Sequence, residues 1–155
     1  MAQGFLSLIL HAHLPYVRHL EHKYSLEEKW FYEALTECYI PLLMHLEKLR
    51  DDGVYFRLTF SLSPTLVAMM EDPLLRDRYS HYLERLQHLA RLEEERTAGD
   101  EAFAPLARMY REHFDAAGAY FHRYGGRLVG AFRKLSEENY LEIITSASTH
   151  GYLPL

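Results

Sequence analysis

The chain has one cysteine, one tryptophan and no surplus of basic residues. The lone thiol, Cys38, excludes an intramolecular disulfide, and its place in a helical segment among aromatic neighbours reads as packing in a reducing compartment. With 17 Lys and Arg against 22 Asp and Glu, a formal net charge of -5, there is no positive field of the kind that gathers nucleic-acid phosphates. The apolar run Phe5 to Leu10 is too short for a membrane span or a signal core, and no basic residue precedes it. A cytoplasmic protein with neither a nucleic-acid nor a membrane partner is expected. Glycine-rich phosphate loops, a serine nucleophile elbow, HExxH and a cysteine ligand set are all missing. What remains is 155 residues at 48% hydrophobic and 14% aromatic, enough for one well-filled core.

Three segments read as strands. The first runs from Phe5 to Leu10 into His11-Ala12-His13-Leu14-Pro15-Tyr16, and alternation puts His11 and His13 on one face with Ser7 and Ile9. The second, Val54 to Leu62, alternates strictly. The third runs from Leu141 to Ser146 and leads to Thr149-His150-Gly151-Tyr152. Between the first two lies a long helix, Tyr24 to Arg50, with a capping box of Ser25 and Glu28, a kink at Pro41 and an end at Gly53. Ser63-Pro64 and Asp72-Pro73 each set a capping side chain before a proline and start two more helices, the second reaching about Arg96. Further helices are expected from Leu106 to Tyr124 and from Leu128 to Glu138, separated by Gly125-Gly126, with Asn139 closing the last. Helical connections between strands favour parallel pairing, so the fold class is α/β, the opening part of a barrel with long helical crossovers.

Parallel barrels keep their chemistry at the C-terminal ends of the strands, where His11, His13 and His150 lie. Two readings carry function. Three imidazoles can hold zinc, as in a metal-dependent hydrolase or sugar deacetylase, although the remaining ligands are not evident. Neutral imidazoles also suit sugar hydroxyls, with Tyr16 and Tyr152 adding amphipathic stacking faces. The bland reading is that these groups only satisfy strand ends. Arg18, His19, Glu21 and His22 read as a solvated loop, Glu27 and Glu28 as acidic helix-start residues and Glu142 as a surface group low on its strand. Arg91 to Arg96, and Glu33 with Glu37, read as exposed helix faces.

The segments HAHLPYVRH, Trp30-Phe31-Tyr32-Glu33-Ala34, Arg57 to Pro64 and Thr149 to Leu155, in that order, resemble the N-terminal part of glycoside hydrolase family 57, and within it the 1,4-α-glucan branching enzymes. That resemblance implies residues 1–155 of an incomplete (β/α)7 catalytic barrel acting on amylose- and glycogen-type glucans by retaining double displacement, with no cofactor. It also implies substrate-binding roles for His11 and His13, and for His150; no metal is expected, because the ligand set is incomplete. A retaining enzyme needs two carboxyl groups roughly 5 Å apart. By the resemblance the nucleophilic Glu and acid/base Asp come from later strands, beyond residue 155. The chain is therefore expected to be a truncated part, inactive alone, that self-associates or needs a second polypeptide to complete the barrel. A non-catalytic glucan-binding module is the alternative from another class.

Overall fold

Each of the three strands forms, and the first two are shorter than their apolar patterns. The computed structural model describes residues 4, 6–22, 24–144, 146–151 and 154, and within them β1 is Ile9–Ala12, β2 is Leu58–Leu62 and β3 is Leu141–Ile144. All pair in parallel in the order β1-β2-β3, with Ile9 opposite Thr59, His11 opposite Ser61 and Thr59 opposite Glu142. Pairing sets the strand limits. Leu8 offers its carbonyl to the Thr59 amide, but among the described residues before it, Gly4, Leu6 and Ser7, none joins the ladder, and Leu6 is 85% exposed. The expected core strand from Phe5 is thus corrected to a short one starting at Ile9, with Phe5 itself outside the described residues. Likewise Val54 to Arg57 alternate in sequence but lie outside the ladder.

In-register pairing places Leu10, Ala12, Leu58, Phe60, Leu62 and Leu141 on one face, and that face meets the helices. Phe60, Leu66, Met69, Leu75, Tyr79, Phe121, Phe132 and Leu135 fill the core behind it, most of them fully buried. The other face carries Ile9, His11, Thr59, Ser61, Glu142 and Ile144, and it is largely open, with Ile9 64% exposed.

The long first crossover is not a simple kinked helix. Helix α1 (Leu26–Ala34) and α2 (Ile40–Asp51) flank a π-helical turn, Leu35–Tyr39, where the Ile40 amide bonds to the Leu35 carbonyl. The widened turn sits immediately before Pro41, which has no amide to donate and would crowd a regular helical turn. Cys38 lies in this turn and is exposed, which corrects the packing role expected of it. The second crossover runs through α3 (Pro64–Glu71), α4 (Pro73–Arg96), α5 (Ala104–Arg123) and α6 (Val129–Glu137). Ser63 and Asp72 cap α3 and α4, accepting from the Leu66 and Leu75 amides. Gly125 and Gly126, at φ 58° and 75°, turn the chain out of α5, and Asn139 at φ 64° closes α6. No helix among the described residues is long and apolar enough to cross a membrane.

Candidate functional site

Strand alternation brings His11 and His13 to the same side at the end of β1, with ring centroids 6.0 Å apart. His150, six residues beyond β3, completes the cluster at 4.7 Å from His11 and 4.4 Å from His13. Its backbone takes φ 58°, a left-handed conformation uncommon outside glycine, and its amide bonds to the Ala147 carbonyl. This turn folds the imidazole back over β1. Partial burial, then the neighbouring His150 and His11, hold the His13 pKa below its usual 6.5, so His13 is neutral at pH 7.

The other residues expected at the site divide. Tyr16 is 54% exposed and makes no ring contact with the histidines among the described residues. Tyr152 lies outside the described residues. Glu142 stays low on β3, where its carboxylate accepts from Thr59 Oγ1 at 3.4 Å. Among the described residues no Asp or Glu bonds to any of the three imidazoles, and no three His, Cys, Asp or Glu side chains are arranged to hold a metal ion.

The loop behind the cluster is anchored far more firmly than a solvated loop. His13 Nδ1 meets Ser63 Oγ at 3.0 Å, Thr65 Oγ1 donates to the Leu14 carbonyl at 3.1 Å, and Arg18 pairs with Asp72 at 2.7 Å. Glu28, only 1% exposed, accepts from the His19 amide, from Tyr32 Oη and from Arg78, and Arg78 also donates to the His19 carbonyl. The expected capping box is therefore half right. Ser25 does accept from the Glu28 amide, but the Glu28 carboxylate points inward to Arg78 and the loop instead of back to Ser25. A solvated Arg18 is corrected in the same way. The pairing partners lie about fifty residues away in sequence, so no local pattern announces them.

The glycosyl hydrolase family 57 model matches residues 7–155. The chain belongs to that family. Over 157 aligned residues it is 38% identical to a 1,4-α-glucan branching enzyme of Thermococcus kodakarensis, covering 99% of this chain and 22% of the relative. Among solved structures, a family 57 branching enzyme of Pyrococcus horikoshii superimposes with TM-score 0.91 at 40% identity, over 99% of this chain and 29% of that one. An α-amylase of Thermotoga maritima does so with TM-score 0.89 at 42% identity, over 95% and 28%. This family 57 chain therefore spans less than a third of the length of these relatives. The relatives fold as (β/α)7 barrels, and the three parallel strands with their helices form part of that architecture. The open sheet face with His11 is the face that lines the inside of such a barrel.

Proposed function

We propose that this chain supplies the substrate-orienting side of an α-glucan site, in an enzyme that forms α-1,6 branches from α-1,4-linked glucan. The observation that carries the reading is the convergence of His11, His13 and His150 at the C-terminal ends of parallel strands, in a chain of this family. An imidazole can both donate and accept through its two ring nitrogens, which suits sugar hydroxyls. Tyr16, exposed on the loop that follows β1, offers an amphipathic stacking face for a further sugar ring. The branching activity named for the Thermococcus relative favours transfer over hydrolysis, and the similarity to an amylase makes hydrolysis the competing outcome.

The chemistry itself needs two carboxyl groups about 5 Å apart across the scissile bond, one as nucleophile and one as acid/base. The histidine cluster supplies neither. Imidazoles can orient a glucan and ease charge at the sugar, but the glycosyl ester requires a carboxylate. This chain is accordingly assigned binding and orientation, and the cutting step to carboxylates outside the described cluster.

The test is incubation of the purified protein with amylose, following iodine colour and new reducing ends. Neither should change, while the protein should be retarded in gels containing amylose, and the retardation should weaken at least ~10-fold in His13→Ala, the scale of one lost hydrogen bond to a buried sugar group. A fall in iodine colour from protein free of host enzymes would put the catalytic carboxylates among residues 1–155 and overturn the assignment.

A further inference from the structure

Three hydrogen-bond contacts run in series from the histidine cluster into the fold: His13 Nδ1 to Ser63 Oγ at 3.0 Å, Ser63 Oγ to Thr65 Oγ1 at 3.2 Å, and Thr65 Oγ1 to the Leu14 carbonyl at 3.1 Å. Two hydroxyl protons are available for these three contacts. The Leu14 carbonyl can only accept, so the Thr65 proton goes there. The contact between the two hydroxyls is then filled by the Ser63 proton. Ser63 Oγ already accepts the Leu66 amide as the cap of α3, and nothing remains on it to donate to the ring. The proton between His13 and Ser63 must come from His13 Nδ1.

We infer that Ser63 and Thr65 are positioning residues that fix His13 in its Nδ1–H tautomer, leaving Nε2 as a hydrogen-bond acceptor in the site. Among the described residues Nε2 has no partner of its own. The depressed pKa of His13 agrees with this, because a neutral ring is the only one with an acceptor nitrogen. The assignment narrows the ligand group that His13 takes. A hydroxyl that donates is accepted, whereas a carbonyl, carboxylate or phosphate oxygen meets a lone pair unless the ring is protonated. This deepens the sugar-hydroxyl reading above, although the tautomer itself stands or falls without it. The relay also explains why the chain just beyond β1 is held so closely to α3: the last link bonds the backbone of the residue after His13.

The two claims separate in one set of spectra. In protein labelled with 15N at histidine, long-range proton–nitrogen correlation at pH 7.5 reads the two ring nitrogens of His13 directly. The proton should reside on Nδ1 in the wild type and in Thr65→Ser. Thr65→Val removes the acceptor of the Ser63 proton, which then turns to His13 Nδ1, and the Nδ1–H signature should be lost in favour of Nε2–H. A merely structural role for Thr65 would leave the tautomer unchanged. A wild-type ring protonated on Nε2 overturns the inference, and that spectrum requires no variant to fold. An Nδ1–H ring that fails to respond to malto-oligosaccharide would leave the relay intact and contradict the glucan reading alone.

Discussion

The Glu28 carboxylate receives one guanidinium nitrogen of Arg78 at 2.7 Å and 2.8 Å, joining the first turn of α1 to the second turn of α4. Both groups also bond to the backbone of His19, so the pair fastens the loop that follows the histidine strand. Taking a carboxylate to near-complete burial is costly, and the Arg78 charge together with the Tyr32 hydroxyl and the His19 amide offsets that cost.

The cost of removing both members should therefore fall short of the two single losses added together. Arg78→Met leaves Glu28 buried and unpaired and is expected to cost ~3–5 kcal/mol in urea unfolding, and the Glu28→Gln, Arg78→Met double variant less than the sum of the two single variants. Strict additivity would show the pair to be uncoupled.

Asp72 serves two elements at once, as the cap of α4 and as the partner of Arg18. Asp72→Ala should lower stability by ~1–2 kcal/mol, within the range of a lost helix cap. Arg18→Ala, which removes only a part-exposed ion pair, should cost ~1 kcal/mol or less. Thermal melts of the two variants check the order, and an equal effect would deny the cap its share.

The depressed pKa of His13 predicts a pH dependence of known sign. The unfolded ring takes up a proton near pH 6.5, while the folded ring resists it, so the unfolded state binds more protons below that pH. The stability tied to His13 is fully present above pH 6.5 and falls as the pH drops from there toward the lower folded value. Unfolding midpoints measured between pH 7.5 and 5 should fall less steeply in His13→Asn than in the wild type.

Both outer strands, β1 and β3, have an unpaired edge among the described residues, and the open face exposes Ile9 and Ile144. Unpaired edges beside apolar surface favour association. Light scattering should show mass rising with concentration, and Ile144→Lys should reduce it. A concentration-independent monomer would contradict the expectation.

Much of this was legible in the sequence because the signals are local. The Ser63-Pro64 and Asp72-Pro73 caps, the Gly125-Gly126 break and the end of α4 at Arg96 each follow from residues within one turn of the feature. The histidine pair on β1 is a matter of alternation alone. Strand lengths were less legible, since Leu6 and Val54 are apolar but the ladder ends where the neighbouring strand does. The inward Glu28 was hidden because its partner Arg78 lies on another helix, the exposed Cys38 because no neighbouring element covers it, and Pro41 announced a break in the helix without saying that a π-helical turn would relieve it. Ser63 reads as a cap from sequence, and its second role toward His13 becomes visible only when β1 and α3 are adjacent.

The most direct test of the proposed glucan site follows the histidine ring resonances during titration with maltoheptaose. His11, His13 and His150 should shift together and saturate at one affinity, while the exposed His45 and His81 on the helices stay still. No movement in the cluster, or movement confined to residues elsewhere, would contradict the assignment of the three imidazoles to glucan binding.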